Sequence, residues 1–146
     1  GQSIVEIQSL EMASPQVKKN EIFVATLSPI VVYSTFKRGD GKKYTLYYKP
    51  DSSEFERLVL ENLVRKARLI YGKGISFTET SIARSGRFRQ QVVMYKGTII
   101  KGVSGNFVLK GDLRLLQTAM DAGLGSKNSM GFGLIEMIQN SNGVRR

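Results

Sequence analysis

Apolar and polar residues alternate from Ile4 to Met12 in SIVEIQSLEM, the pattern of a strand with one covered face. The alternation stops at ASPQVKKNE, where Pro15 and a polar run predict a linker. Glu21 to Phe36, EIFVATLSPIVVYSTF, is dense in β-branched and aromatic residues and predicts a long strand. Pro29 has no N–H to give a ladder, so a bulge or bend is expected there. KRGDGKK reads as a turn-rich loop and Tyr44–Pro50 as a short extended segment.

The period then changes. Phe55, Val59, Leu63, Ala67 and Ile70 recur every three or four residues, which predicts a helix from about Ser53 to Tyr71. Ser53 and Glu56 have capping-box spacing, and Gly72 supplies a stop. Arg57, Arg65, Lys66 and Arg68 fall off the apolar stripe and give the helix a basic face. Two β segments follow, Phe77–Tyr95 and Thr98–Lys110, joined by Lys96-Gly97 as a tight turn. Gly102 and Gly105 inside the second segment point to a bulge or to another backbone close by. A second helix is expected from Asp112 as N-cap, with Leu113, Leu116 and Met120 on one side, ending at Gly123. GLGSKNSMGFG, a short strand LIEMI and a polar tail complete the chain. The order is βαββαβ, the ferredoxin-like α+β sandwich: an antiparallel sheet with two helices on one face.

Composition narrows what such a domain does. With 146 residues the chain suits a single domain. It contains no Cys, which removes disulfides and thiolate chemistry, and no His, which removes imidazole acid–base catalysis within the chain. The acids are scattered, so no carboxylate pair suggests a metal site, and no cofactor is implied. No apolar run approaches the roughly 20 residues that span a bilayer. The net charge is +10, and between Arg57 and Lys110 there are 11 Lys/Arg against two acids, a local +9. So one-sided a surface attracts polyanions, nucleic acid first and anionic membrane second, or is simply a solvated face.

The glycine-rich stretch fails both common phosphate fingerprints. G-x-x-x-x-G-K-[ST] needs Gly directly before Lys, but Lys127 follows Ser126; G-x-G-x-x-G fails at Asn128. Both also need a strand before and a helix after, the reverse of the order here. Two readings stay open. Gly123 caps the helix and the rest turns the chain, or backbone N–H groups with Lys127, Ser126 and Asn128 form an anion-binding nest.

Four segments in this order carry a resemblance: TLSPIVV (Thr26–Val32), the helix FERLVLENLVRKARLIYGK, YKGTIIKGVSGNFVLKG and above all GLGSKNSMGFG before a terminal strand. Over roughly Glu21 to Ile138 the chain resembles the C-terminal domain of the CRISPR repeat-processing endoribonucleases, members of the repeat-associated mysterious protein superfamily. The resemblance implies a cytoplasmic prokaryotic protein of two tandem ferredoxin-like domains that binds CRISPR repeat RNA and cuts it once, without metal. The 2′-hydroxyl attacks the adjacent phosphate. A His of the N-terminal domain commonly serves as acid or base, and the C-terminal domain supplies the glycine-rich loop and a β-hairpin that grips RNA.

This chain has about half the expected length and no His. It is therefore read as a C-terminal fragment, inactive alone, whose catalytic residues lie in a missing N-terminal domain, or as a degenerate, non-cleaving homologue. In that division 1–20 is a remnant strand and interdomain linker, 21–140 the RNA-binding domain and 141–146 a tail. The alternative function is a non-catalytic RNA-binding subunit of a CRISPR effector complex. Candidate partners are repeat RNA, other CRISPR-associated proteins and a second copy of the chain, with no membrane. The candidate RNA-binding residues are Gly123, Gly125, Ser126, Lys127, Asn128, Gly131 and Gly133 of the loop, Arg84, Arg87 and Arg89 around a Ser85-Gly86 turn, and Lys101. Lys73 and Lys96 are weaker. Phe88 and the tyrosines Tyr44, Tyr47 and Tyr48 are either base-stacking surfaces or packing residues.

Overall fold

Side-chain alternation builds the main sheet. In β1 (Glu21–Thr26) Ile22 and Val24 point into the core, and in β5 (Thr98–Lys110) Val103, Phe107 and Leu109 do the same. β4 (Ser81–Tyr95) contributes Ile82 and β6 (Ile135–Ile138) contributes Ile135. The strands run in the order β4-β5-β1-β6, every neighbour antiparallel. The computed structural model describes residues 15–139; the strand expected over Ile4–Met12 and the polar tail lie outside the described residues. Val17, just ahead of β1, is buried in the core, and its N–H donates to Gln117 Oε1 at 2.7 Å.

Two helices close one face of the sheet. α1 (Ser53–Tyr71) buries Phe55, Val59, Leu63 and Ala67, and α2 (Leu113–Ala122) buries Leu115, Leu116, Thr118 and Ala119. Both stripes belong to one cluster with the sheet residues, and Phe55 and Phe107 stack across it at 6.1 Å. Burying each of the Val, Leu and Phe side chains is worth about 1.5–3 kcal/mol. This is the ferredoxin-like α+β sandwich that the βαββαβ order predicts.

The local differences have physical reasons. The cap of α1 is Ser52, not Ser53: its Oγ accepts from Phe55 N–H at 3.3 Å, and Glu56 reaches across to Ile82 N–H at 3.1 Å. Ile70 is exposed, because the last turn of α1 runs past the sheet-facing stripe. In α2 Leu113 is also exposed and Leu115 takes the inward place. Asp112 does cap α2, accepting from Arg114 N–H at 2.9 Å, and it also accepts from Thr78 N–H at 3.0 Å and the Arg114 guanidinium at 3.0 Å. Those bonds hold its carboxyl down at about 2 and tie the 72–80 connection to α2.

The expected long strand Glu21–Phe36 is broken around Pro29, as the missing N–H requires. Leu27 and Ser28 N–H turn to Leu134 O, Ile30 then bridges to Val103, and Val31 bridges to Ser126. Beyond the break, β2 (Tyr33–Lys37) leaves the main sheet and pairs with β3 (Lys43–Tyr47) as a separate two-stranded ribbon. Lys96 and Gly97 do form the β4–β5 turn, both at positive φ (49° and 81°). Ser85-Gly86 is not a turn. The strand continues through it, and Ser85, Gly86 and Arg87 make a bulge between the pairs Arg84–Phe107 and Phe88–Gly105.

Candidate nucleic-acid interface

The glycine-rich loop leaves α2 at Gly123, whose N–H closes the helix on Ala119 O at 2.9 Å. It folds back on itself: Leu124 N–H donates to Gly133 O at 2.9 Å, and Gly133 N–H to Pro29 O at 2.8 Å. Ser126 N–H donates to Val31 O at 2.8 Å. A short 3-10 turn, Asn128–Met130, follows Lys127, itself left-handed at φ 63°. Glycine is required at two of these places. A Cβ on Gly125 (φ 70°) would stand 2.5 Å from Val31 O, and one on Gly133 (φ 79°) would overlap Leu124 O. Close chain approach therefore explains the buried glycines, while Gly131 opens to space.

The loop's polar groups are mostly engaged. The Asn128 amide donates to Leu124 O at 3.1 Å and Phe132 O at 2.9 Å, so both its hydrogens hold the loop. Met130, Gly131 and Phe132 N–H groups also bond inside the loop. Met130 and Phe132 pack into a second apolar cluster with Val31, Ile100, Tyr33 and Tyr47. Lys127 lies with its Nζ 5.2 Å from the Tyr33 ring centroid.

One anchor of this loop lacks a sequence signal. Lys66, on the polar side of α1, is half-buried and donates to Gly123 O at 3.0 Å and Gly125 O at 2.9 Å. Burial and the neighbouring Arg65 charge push its ammonium down to about 8. Its position off the apolar stripe suggests a solvent-facing cation; only the tertiary structure brings it over two loop carbonyls. Beside it, Tyr33, Asn62, Arg65, Gly125 and Ser126 line a cleft of about 70 Å³. Asn62 Oδ1 is buried there with no hydrogen-bond partner among the described residues.

Residues 12–137 match the family described as CRISPR associated protein Cas6, C-terminal. The chain belongs to the Cas6 C-terminal family. It is 30% identical over 130 residues to CRISPR-associated endoribonuclease Cas6 1 of Methanocaldococcus jannaschii, covering 88% of this chain and 49% of the relative. To Cas6 2 of the same organism it is 31% identical over 150 residues, 92% of this chain and 60% of that one. A solved structure titled CRISPR associated protein Cas6 superposes with a TM-score of 0.75 at 26% identity, over 86% of this chain and 51% of the other. The chain thus spans about half the length of the relatives it matches.

In this Cas6 domain the arginines stand apart from the loop but within reach of it. Ser126 pairs with Val31, Ile30 with Val103, and Val103 with Gln90. Three strand spacings, roughly 14 Å, therefore separate the loop from the Arg89 region of β4. Arg84, Arg87 and Arg89 are exposed at or beside the bulge. Arg84 donates to Gly86 O at 3.0 Å and stacks on Phe88 at 5.4 Å. Phe88 itself packs against the main core, so its ring is not a free platform. Register sets Lys101 apart: it pairs with Val92, whereas Arg89 pairs with Ser104, and the odd offset from Arg89 to Val92 puts the two cations on opposite faces of the hairpin.

Tyr47 packs into the second cluster and its hydroxyl donates to Ile99 O at 3.3 Å, Tyr48 packs on the main core, and Tyr44 alone of the three is exposed. No group of three His, Cys, Asp or Glu among the described residues could hold a metal ion, and no described helix is long and apolar enough to cross a membrane.

Proposed function

We propose that this chain is the RNA-gripping domain of a Cas6-type endoribonuclease that cuts precursor CRISPR RNA within its repeat, in the prokaryotic cytoplasm. The observation that carries the reading is the family match over residues 12–137, on a domain whose exposed arginines stand about three strand spacings, roughly 14 Å, from the glycine loop. Residues 21–140 form the RNA-binding unit, following a second, catalytic domain of the whole protein. The exposed guanidiniums of Arg84, Arg87 and Arg89 take phosphates by bidentate bonds. Lys127, at the loop surface, adds a point charge. The cleft lined by Arg65 and Ser126 sets a guanidinium beside a hydroxyl, which suits a phosphate.

The reaction proposed for the whole protein needs no metal. The 2′-oxygen forms a bond to the adjacent phosphorus while the bond to the 5′-oxygen breaks, giving a 2′,3′-cyclic phosphate and a 5′-hydroxyl. One group takes the 2′ proton and another protonates the leaving oxygen. With no His in this chain, those groups are assigned to the other domain.

A fluorescence titration of labelled repeat RNA across salt tests the binding claim. Contact with about six to eight phosphates of a single strand gives a log–log slope near −4 to −6; undetectable or salt-independent binding refutes it. Cleavage of the repeat at one position by the whole protein in the presence of a chelator eliminates the alternative, a non-cleaving subunit of an effector complex; binding without cleavage, with or without metal, replaces the endoribonuclease by that subunit.

A further inference from the structure

The β2–β3 ribbon has two unlike faces. Register places Tyr33 opposite Tyr47 on one side, and Phe36 opposite Tyr44 with Ser34 opposite Leu46 on the other. The first side is docked: Tyr33 and Tyr47 meet at 5.9 Å within the second apolar cluster, beneath Lys127. The second side is bare. Phe36, Tyr44 and Leu46 keep 40, 47 and 46% of their surface accessible. Phe36 and Tyr44 stack on one another, centroids 5.4 Å apart and planes inclined by 26°. At that spacing no ring fits between them, so a ligand base would stack on their outer surfaces.

Charge says what the bare side faces. The ribbon end carries Lys37, Arg38, Lys42 and Lys43 against the single acid Asp40, a net +3 over residues 37–43; Lys37 and Lys43 pair on the Tyr33–Tyr47 side, while Arg38 and Lys42 belong to the turn that follows Phe36 and precedes Tyr44. Asp40 is occupied locally, 4.0 Å from Arg38 Nε and accepting from Lys42 N–H at 3.0 Å. Exposed aromatic rings framed by cations match a strand that offers π-faces and phosphates together. A protein partner would need acids to meet the cations; a duplex would hide its base faces.

We infer that the β2–β3 ribbon is a second RNA contact, distinct from the loop and the arginine bulge, on which Phe36 and Tyr44 stack unpaired bases while Arg38 and Lys42 of the connecting turn take the flanking phosphates. The inference rests on the RNA-binding reading above and adds a ligand class: single-stranded RNA.

The test compares the whole chain with Phe36→Leu/Tyr44→Leu, which keeps apolar strand residues but removes the rings, and with Phe36→Tyr/Tyr44→Phe, which keeps them. The probes are a fluorescein-labelled 12-nucleotide single-stranded RNA and a blunt RNA duplex of equal length. The ring-free variant should lose about 10–100-fold in affinity for the single strand and under twofold for the duplex, with its melting temperature within about 2 °C; the ring-keeping variant should bind as the parent does. Equal single-strand affinity in all three proteins overturns the inference alone. So does a matching loss for single strand and duplex. So does a dimer-to-monomer change in the ring-free variant with RNA affinity intact, which would make the ribbon a self-interface. If the parent binds neither RNA, the RNA-binding reading falls as well.

Discussion

In the glycine-rich loop seven of eleven main-chain N–H groups, those of Gly123, Leu124, Ser126, Met130, Gly131, Phe132 and Gly133, donate to protein carbonyls. In the β4 bulge the side chains of Arg87 and Arg89 stand in solvent, and Arg84 makes a single hydrogen bond to its own strand. Both segments set glycines among cations. The loop uses them to pass three pieces of chain, the end of α2, the 29–31 segment and β6, through a space too small for a Cβ. The bulge uses its one glycine, Gly86 at φ 91°, to swell a strand outward. The motif that marks the family most clearly spends its glycines on shape, while the exposed charge stands on the less distinctive arginines.

The largest expected effect is on the loop side. Gly133→Ala places a methyl on Leu124 O at a backbone angle that alanine resists, in the buried hinge between loop and β6. The expected cost exceeds about 3 kcal/mol, a fall of roughly 10 °C in melting temperature for a chain of this size. Thermal melting followed by circular dichroism measures it. A variant melting within 2 °C of the parent would mean that the loop is slack, and the contrast with the bulge would fail.

The bulge should behave the other way. Replacing Arg84, Arg87 and Arg89 together with Ala should leave melting within about 2 °C, since exposed side chains contribute little to stability. RNA affinity should fall about 10–100-fold, and the salt slope should become shallower by about 2, or roughly 0.7 for each phosphate that is no longer neutralised. An unchanged slope would put the phosphate-binding groups elsewhere on the basic surface.

What the sequence made legible follows the same division. Periodicity locates α1 from Ser53 to Tyr71 because four inward residues recur at helical spacing, and Lys96-Gly97 declares its turn through the backbone it needs. The one-residue error at the α1 cap arises because Ser52 and Ser53 are chemically alike, and only backbone geometry selects between them. The ribbon hides inside an apparent long strand, since Val31–Phe36 has the same β-branched and aromatic content whether it extends β1 or leaves it. Its net +3 is masked too: the larger surplus between Arg57 and Lys110 dominates the charge pattern, and acids elsewhere cancel the ribbon in the total. Asn128 reads as a donor for a ligand, but its amide reaches carbonyls four residues away on either side, a closure that no spacing rule announces.

Lys66 gives the smallest and most specific test, because it is the cation that the loop has drawn inward. Its ammonium titrates near 8 in the folded chain and at its ordinary value of 10.5 when unfolded. Between those values the unfolded state binds more protons, so raising the pH favours folding: the contribution is absent below about 8 and complete above 10.5. The amine is partly exposed, and after discounting for solvent screening the rise is on the order of 1 kcal/mol. Urea unfolding at intervals from pH 7 to 11 should show that rise in the parent and lose it in Lys66→Met. Subtracting the two profiles removes Tyr47, whose hydroxyl is pushed up by burial and acts with the opposite sign at higher pH. Parallel profiles would mean that the bonds to the Gly123 and Gly125 carbonyls fully replace the water that the Lys66 ammonium loses on folding.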